Sequence, residues 1–219
     1  EDQKSQSDLR MAVYAAQVYS IDYNIGKLLK VLENKKILNN TLIMFLSDNG
    51  ASAEPYNEFG GGDISEVNNP EVAGNKSVGR GWANLSNTPF RMYKNTPTEG
   101  GIATPFIAHW PNEISKRLEG TFYRDQSHII DVMPTVIDIT GAVYPKSYKN
   151  NLIYDTKGIS LVPAFKSKKR KQHEYLFFEH ENNCAVRYGD WKIISKFGQF
   201  EWELYNLKTD RKELNNVAN

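Results

Sequence analysis

A carboxylate and a carboxamide stand side by side at the end of an apolar run. Residues 41–47 read Thr-Leu-Ile-Met-Phe-Leu-Ser and are followed directly by Asp48, Asn49 and Gly50. The two polar side chains offer hard oxygen atoms, the ligands that calcium and magnesium prefer in proteins. The same three residues are also ordinary turn chemistry, because they tolerate tight-turn and left-handed conformations. These residues alone therefore leave both a metal site and a plain turn open.

Histidine and cysteine add little to this chemistry. The single cysteine, Cys184, excludes an intramolecular disulfide and a cysteine-rich metal site. His109 ends an apolar segment, so we expect a packed histidine rather than a ligand there. His128 and His173 stand at polar junctions and receive no role. Asp48 and Asn49 thus remain the first candidates for a site.

The elements around residue 48 predict an α/β layer. An unbroken apolar run of this length is typical of a strand buried on both faces, as in parallel sheets, and we place a strand at 41–47. Before it, apolar residues recur at alternating spacings of four and three, which predicts an amphipathic helix over 8–34 laid on a sheet. These residues are Tyr14, Val18, Ile21, Ile25, Leu28 and Leu32. Ligands collect at the carboxyl ends of strands in such sheets, where Asp48 stands.

A long loop and a second strand are predicted next. Residues 50–90 are rich in Gly, Asn and Pro and lack apolar periodicity, so we expect a long loop. Loops of this length in compact domains are usually functional or mobile. The glycine pair at Gly100 and Gly101 suits a backbone that packs tightly or adopts a positive φ. A short strand interrupted by a proline follows within 102–111.

The last third of the chain predicts one helix and a small sheet. Residues 128–140 carry apolar residues at helical spacing, with Asp131 as the cap, Pro134 in the first turn and Gly141 at the end. Residues 142–174 are expected to be mostly connection. Four β-rich runs separated by turn residues then predict an antiparallel sheet. These runs are 175–179, 184–188, 191–195 and 201–205.

Composition limits the function classes. The chain has 219 residues, of which 40% are hydrophobic and 24% charged, as in ordinary globular proteins. A net charge of +1 gives no reason to expect a nucleic-acid or membrane partner. The basic run at 166–171 is expected to be a solvated loop. No apolar stretch reaches the roughly 18 residues of a membrane span, and no signal peptide is visible at the start.

One segment of the chain is especially distinctive and reads Trp82-Ala83-Asn84-Leu85-Ser86-Asn87-Thr88-Pro89-Phe90-Arg91-Met92-Tyr93-Lys94, then Glu99-Gly100-Gly101. With this segment, residues 82–111 closely resemble the arylsulfatases of the formylglycine-dependent sulfatase family. Further stretches recur there in the same order, so the resemblance covers essentially the whole chain. The others are 11–26, Ser47 to Gly50, 131–135, 179–181, 191–192 and 204–207.

The resemblance implies an α/β, alkaline-phosphatase-like fold with a small C-terminal antiparallel sheet. Residues 1–165 would be the C-terminal part of the catalytic α/β domain, and 166–219 a small antiparallel-sheet subdomain. The family's parallel sheet would be incomplete in this chain. Strands from a neighbouring chain could replace those that are absent, so self-association of the fragment is a further expectation.

The resemblance also assigns residues. Asp48 and Asn49 match a pair of metal ligands for a divalent cation, usually calcium, and Lys94 matches a lysine that contacts the sulfate. Lys94 is therefore the expected catalytic and substrate-binding residue, with an ordinary surface lysine as the alternative. His180 resembles a tail residue that can approach the substrate pocket, although a solvated turn histidine is an equal alternative. Glu99 and the two glycines after it would support the site.

The departures from the family are equally informative. The family's formylglycine is made from a Cys or Ser followed by x-Pro-Ser-Arg near the N-terminus, and that motif is absent here. Cys184 is followed by Ala-Val-Arg, so it is not the nucleophile. The formylglycine and the remaining metal ligands are expected upstream. We therefore expect that this chain alone is inactive and binds calcium weakly or not at all.

The resemblance implies that the parent protein hydrolyses a sulfate monoester, carried by a small molecule or a glycan, in the periplasm or outside the cell. Two alternatives stay open. A phosphate or phosphonate ester hydrolase of the same superfamily would use the same metal chemistry. A non-catalytic binding module would need no nucleophile. The loop at 50–86 is expected to determine which ester is accepted.

Overall fold

The chain forms two compact units. A computed structural model describes residues 2–54, 58–69, 71, 77–195 and 201–218. Unit 1 comprises Glu1–Lys35, Leu46–Phe106 and Tyr175–Asn219, and unit 2 comprises Lys36–Phe45 and Ile107–Glu174. The predicted boundary after residue 165 concerns the domain organisation of the parent protein and stays a prediction.

Helices and strands alternate along the first two thirds of the chain, and strands dominate the last third. The helices are α1 (Asp2–Asn34), α2 (Gly79–Ser86), α3 (Glu99–Ile102), α4 (Val132–Thr140) and α5 (Val162–Phe165). The strands are β1 (Ile43–Leu46), β2 (Phe106–His109), β3 (Ser147–Tyr148), β4 (Asn151–Leu152), β5 (Tyr175–His180), β6 (Asn183–Tyr188), β7 (Trp191–Ser195) and β8 (Trp202–Asn206). Short 3₁₀ turns lie at Leu38–Asn40, Ile64–Glu66, Lys116–Leu118 and Ile129–Asp131. None of the helices in these described ranges is both long and apolar enough to cross a membrane.

Helix α1 confirms the predicted amphipathic helix and begins six residues earlier. Its apolar stripe is not covered within this chain: Val18 is 48% exposed, Ile21 53% and Leu28 55%. The expectation that α1 lies on a sheet is therefore wrong for the described residues. The helical spacing places these side chains on one face, and in the described part of the chain that face stays largely exposed.

Strands β1 and β2 pair in a two-stranded sheet, so the predicted sheet is incomplete. Strand β1 is shorter than predicted, at Ile43–Leu46, and none of its four residues is fully buried. Phe45 is 45% exposed. The prediction of burial on both faces is therefore wrong, because among the described residues this sheet has two strands and its apolar side chains stay partly exposed.

The predicted long loop at 50–90 contains ordered structure. Its described part includes helix α2, which buries Ala83 completely. The glycines that start α2 have poor helix propensity, which hid the helix from sequence analysis. Tertiary contacts override that weakness, because Trp82 Nε1 donates to Ser7 Oγ at 2.8 Å. Gly79 has φ +80°, and a Cβ there would overlap Gly60 N.

Unit 2 is organised around one buried carboxylate. Asp131 precedes α4 as predicted, and Gly141 ends α4 at φ +65°. The Asp131 side chain does not cap α4 but accepts from Arg170 Nη2 at 2.6 Å and lies 2.7 Å from His173 Nε2. Burial alone would raise the pKa of Asp131, but the backbone N–H of Ile159, other donors and the Arg170 cation hold it below its ordinary value.

The predicted C-terminal sheet is confirmed as four antiparallel strands in the order β5-β6-β7-β8. One face carries the hydrophobic core of unit 1, formed by Ala185, Ile194, Tyr205 and Leu207 with Phe178 packed against it. Lys192 lies two residues before Ile194 on β7, so the alternation of a strand turns both side chains to the same face. A fully buried cation therefore stands in the middle of this apolar face.

Candidate functional site

The candidate site starts where β1 ends. Asp48 is exposed and Asn49 is half-buried, and Asn49 Nδ2 donates to Asp48 Oδ1 at 2.9 Å. Ser47 Oγ donates to the carbonyl of Asn49 at 2.8 Å, which fixes the bend. The turn chemistry expected at this position is therefore present, and it leaves a carboxylate at the surface beside an amide. This arrangement suits a cation that approaches from solvent.

Backbone hydrogen bonds join this strand end to the segment around Lys94. Gly50 N donates to Gly101 O at 2.9 Å, and Lys94 N donates to Ala51 O at 3.1 Å. A Cβ on Gly50 would overlap the carbonyl oxygen of Gly100, so only glycine permits this approach. Residues that lie more than forty positions apart in the sequence are thereby fixed side by side in unit 1.

The Lys94 side chain forms an ion pair that sequence analysis missed. Lys94 Nζ lies 2.9 Å from Glu54 Oε2, and the two side chains are 32% and 45% exposed. The other carboxylate oxygen of Glu54 accepts from Asn95 Nδ2 at 3.3 Å. Glu54 lies in the loop that leaves β1, and no sequence motif marks it. The ammonium group of Lys94 is thus close to solvent and held by a partner that an anion could replace.

The backbone on either side of Lys94 is held in an uncommon conformation. Met92 has φ 66° and Asn95 φ 74°, in the left-handed region that costs a non-glycine residue about 1 to 2 kcal/mol. Met92 N donates to Asn84 Oδ1 at 2.8 Å, and Asn87 Nδ2 donates to Met92 O at 3.0 Å. Asn87 Oδ1 in turn accepts from Ala51 N at 3.0 Å. Two asparagines at the end of α2 therefore determine the path of the segment that carries Lys94.

A cluster of buried charges lies directly after this segment. We call Glu99, Lys192 and Glu213 the Lys192 cluster; the three residues are 3%, 1% and 1% exposed. Lys192 Nζ lies 3.0 Å from Glu99 Oε1 and 2.8 Å from Glu213 Oε1. Glu99 N donates to Glu213 Oε2 at 2.9 Å. The cluster therefore ties the start of α3 to the C-terminal sheet and to the end of the chain.

Cations around the cluster keep Glu99 ionised. Burial alone would raise the pKa of Glu99, but Lys192, Arg187 and Arg211 outweigh that effect and hold it below its ordinary value. Arg211 Nε lies 3.3 Å from Glu99 Oε2, and its side chain is half exposed. These cations lie far from Glu99 in the sequence, so no local pattern reveals them. These contacts make Glu99 a structural carboxylate of unit 1, and its support of a catalytic site stays a prediction.

Aromatic and basic groups extend the cluster toward β8. Arg91 Nη2 lies 2.8 Å from Glu203 Oε2 and donates to the Tyr205 hydroxyl at 2.9 Å. Burial and the hydrogen bond to Glu203 raise the pKa of Tyr205 to about 12, so this hydroxyl stays protonated at any physiological pH. Arg91 Nε also lies 3.7 Å from Glu213 Oε2. The segment before Lys94 is thus anchored to the same sheet as the segment after it.

The two histidines singled out from the sequence, His180 and His109, are both exposed. His180 is exposed at the end of β5, and in the described part of the chain no hydrogen bond or ion pair joins its side chain to Asp48, Asn49 or Lys94. Its role stays a prediction. His109 is exposed at the end of β2, so the expectation of a packed histidine is wrong. The apolar residues before His109 in β2 are themselves mostly exposed, so the strand does not bury the His109 side chain.

Asp48 and Asn49 would not make a complete metal site by themselves. Within the described ranges, the structure contains no group of three or more His, Cys, Asp or Glu side chains that could hold a metal ion. Calcium takes six to eight oxygen ligands. The two side chains fit a hard cation by their chemistry, and they would supply two of its ligands.

Comparison with known proteins gives the family. A profile of the sulfatase family matches residues 1–142, and a profile described as N-sulphoglucosamine sulphohydrolase, C-terminal, matches residues 91–219. An uncharacterized sulfatase of Schizosaccharomyces pombe is 29% identical over 236 aligned residues, which cover 99% of this chain and 41% of that protein. An arylsulfatase of Klebsiella aerogenes is 32% identical, over 76% of this chain and 37% of its own length. The chain thus spans about two fifths of the length of these relatives.

Solved structures confirm the predicted α/β, alkaline-phosphatase-like sulfatase fold. A Bacteroides thetaiotaomicron protein from a genetic locus for glycosaminoglycan metabolism has a TM-score of 0.61 at 20% identity, covering 90% of this chain and 39% of that chain. A phosphonate monoester hydrolase from Silicibacter pomeroyi has a TM-score of 0.56 at 16% identity, over 90% of this chain and 34% of its own. Identities this low show the fold alone. The two family profiles together extend over the whole sequence, and the chain belongs to the sulfatase family.

Proposed function

We propose that this chain is the C-terminal part of an enzyme that hydrolyses a sulfate monoester, with water, to an alcohol, sulfate and a proton. One observation carries the proposal. The strand end with Asp48 and Asn49 is hydrogen-bonded to the segment with Lys94, so a carboxylate, an amide and an ammonium group belong to one hydrogen-bonded part of unit 1. Both kinds of group bind the oxygens of an anionic ester.

Asp48 and Asn49 would hold the divalent cation, for which we propose calcium. Their carboxylate and amide oxygens are hard ligands, and the exposed position of Asp48 admits further ligands from outside this chain. When bound, the cation would stabilise negative charge on the sulfate oxygens. The formylglycine nucleophile would come from the part of the parent that precedes this chain.

Lys94 would bind the sulfate group directly. Its ammonium is a compact charge on a flexible stem and is held here by a single carboxylate oxygen at 2.9 Å. A sulfate ester that carries its own negative oxygens can take the place of Glu54. In a site closed to water the new contact is stronger than the exposed ion pair it replaces. His180 is kept as a proposed substrate-binding residue, because β5 and the Lys94 segment belong to the same compact unit.

The substrate class and location extend this proposal. The relatives include an arylsulfatase, and the fold neighbour belongs to a glycosaminoglycan locus, which supports either a small sulfated molecule or a sulfated glycan as the substrate. We propose a periplasmic or secreted enzyme, as in the resemblance, without nucleic-acid or membrane partners. Self-association of the isolated chain through the exposed face of α1 is a separate proposal, supported by the exposure of its apolar stripe.

A direct assay tests the main proposal. The parent protein and the isolated chain would be compared on a chromogenic aryl sulfate, and turnover is expected from the parent alone. The isolated chain lacks the nucleophile motif, so its rate should equal the blank. Turnover by the isolated chain well above the blank would contradict the assignment of the nucleophile to an upstream segment.

The fold neighbour that hydrolyses phosphonate monoesters supports one alternative function. The parent would be assayed in parallel on matched aryl sulfate and aryl phosphonate esters. A higher kcat/KM for the sulfate ester supports the proposed function, and the reverse order supports the alternative. If the native protein has an intact mass near the 25.0 kDa of this chain and turns over neither ester, the chain is a non-catalytic module.

A further inference from the structure

We propose that Glu213, near the end of the chain, is a positioning residue for Lys94. The inference rests on the proposed function and adds a residue that lies outside the candidate site. Glu213 touches neither Lys94 nor Asp48. Its carboxylate fixes Glu99, and Glu99 begins the short helix whose backbone is bonded to the strand end of Asp48.

Glu213 contacts both other members of the Lys192 cluster. Its Oε2 accepts from the backbone N–H of Glu99 at 2.9 Å, and its Oε1 lies 2.8 Å from Lys192 Nζ. Lys192 in turn binds the Glu99 side chain at 3.0 Å. Glu213 therefore binds Glu99 twice, once directly through the main chain and once through a shared cation. All three side chains are almost completely excluded from solvent.

The backbone at position 213 indicates that this side chain is required. Glu213 has φ 57°, in the left-handed region where glycine is cheapest and a residue with a long side chain is uncommon. The tail is folded tightly to allow it. Asp210 Oδ2 accepts from Leu214 N at 2.9 Å and from Asn215 N at 2.8 Å, and Glu213 N donates to Asp210 O at 3.1 Å. The left-handed conformation of Glu213 costs free energy. The buried contacts of its carboxylate offset that cost.

Backbone hydrogen bonds and close packing hold the segment between Lys94 and Glu99 tightly. Gly100 N donates to Arg91 O at 3.1 Å, and Gly101 O accepts from Gly50 N at 2.9 Å. A Cβ on Gly100 would overlap Arg91 O, and one on Gly101 would overlap Thr96 O. Backbones packed this closely cannot shift independently. A displaced Glu99 therefore displaces the segment on which Lys94 stands.

The test is a double-mutant cycle in the full-length parent with a sulfate ester. Glu213→Gln should lower kcat about tenfold, because Lys94 is misplaced relative to the charge that develops on the sulfate oxygens. If Glu213 acts through Lys94, the variant carrying both Glu213→Gln and Lys94→Ala should be no slower than Lys94→Ala alone, within about twofold. Losses that multiply in the double variant would overturn the proposal.

Asp131→Asn is the matched control for the cycle. Asp131 is a fully buried carboxylate with two basic partners in unit 2, so it resembles Glu213 in burial and charge. This variant should lower the melting temperature and leave the kcat of the folded protein unchanged. A tenfold loss of kcat from Asp131→Asn as well would mean that any buried carboxylate produces the effect, and the proposal would fail.

Amide exchange separates failure of this inference from failure of the proposed function. If the wild-type parent turns over no sulfate ester, the proposed function fails, and exchange alone decides the positioning role. Glu213→Gln should speed exchange about tenfold in a peptide covering 91–103 relative to β5 and β6. Equal acceleration in both regions would refute a positioning role. If Glu213→Gln does not fold, Arg211→Gln, which removes a half-exposed partner of Glu99 together with a cation–π contact to Phe90, should give a two- to threefold effect in the same peptide.

Discussion

Two lysines of unit 1 form ion pairs of nearly the same length in opposite surroundings. Lys192 lies 3.0 Å and 2.8 Å from two carboxylates, and its side chain is fully buried. Lys94 lies 2.9 Å from one carboxylate, and its side chain is 32% exposed. The distances do not distinguish the two lysines, but solvent does. Separating a buried cation from its partners leaves unpaired charges in the protein interior, which costs a large free energy. An exposed cation can change partners at little cost, because water solvates the separated charges.

The difference in burial suits Lys192 to a structural role and Lys94 to ligand binding. Lys192 is suited to fixing backbone, because its two partners come from positions 99 and 213 and neither can be replaced by water. Lys94 is suited to receiving an anion, because its partner Glu54 is itself 45% exposed. In the proposed function, the same side-chain chemistry would thus serve as a structural link at Lys192 and as a ligand contact at Lys94. The difference in burial is what supports assigning the two lysines different roles.

The largest expected effect comes from removing the buried cation. Lys192→Met should lower the free energy of unfolding by about 3 to 5 kcal/mol, because it removes the buried cation that two carboxylates share. Glu99 and Glu213 would then face only the longer contacts with Arg211 at 3.3 Å and Arg91 at 3.7 Å. Lys94→Met, the matched exposed variant, should cost about 0 to 1 kcal/mol. Urea unfolding of both purified variants measures the difference. Similar losses for the two lysines would break the comparison.

The second effect concerns activity rather than stability. In the parent, Lys94→Ala should reduce kcat/KM by roughly a hundred- to a thousandfold, about 3 to 4 kcal/mol, because the ammonium would stabilise charge that develops on the sulfate oxygens. Lys166→Ala is the control, since Lys166 forms a half-exposed pair with Glu113 at 3.5 Å. That variant should retain full activity. Small and equal effects, in protein shown to be folded and to carry formylglycine, would remove Lys94 from the site.

The third effect is acid sensitivity of the Lys192 cluster. The pKa of Glu99 lies below its ordinary value of 4.5, so its ionisation stabilises the fold above that pH and the contribution is lost as the pH falls through the folded-state pKa. Unfolding free energies would be measured between about pH 5 and about pH 3. Glu99→Gln should be less stable at pH 5 but lose less on acidification, with a slope smaller by up to about 1.4 kcal/mol per pH unit. An unchanged slope would show that Glu99 does not carry this titration.

Much of the fold was predictable from local sequence. Helix α1, the strand before Asp48, the end of α4 at Gly141 and the four-stranded sheet follow from periodicity and turn residues within short windows. Helix α2 was missed, because Gly-Arg-Gly reads as a breaker and only distant contacts stabilise it. The predicted burial of β1 was too high, because a strand is buried on both faces only within a larger layered sheet, and the described residues place β1 in a sheet of two strands.

The candidate site divides in the same way. Asp48 and Asn49 were visible because a strand end and a polar pair are adjacent in sequence. Lys94 became visible through family resemblance, and its partner Glu54 did not, because forty residues separate them. The cluster of Glu99 and Lys192 joins positions more than ninety residues apart. No window of sequence contains both members of such a pair, so only the folded chain reveals it.

The smallest predicted effect concerns Glu54 and tests whether Lys94 exchanges partners. Glu54→Gln should change the free energy of unfolding by less than about 1 kcal/mol, because the pair is exposed. The same variant should lower KM for the sulfate ester in the parent, by up to about fivefold, because the substrate no longer competes with a carboxylate for Lys94. Kinetics at low ionic strength would show this most clearly, since salt screens exposed charges.

Glu113→Gln, which removes the partner of Lys166, is the control and should leave KM unchanged. A raised KM in Glu54→Gln would instead mean that Glu54 orients Lys94 for binding, and the contrast between a fixed and an exchangeable lysine would have to be abandoned.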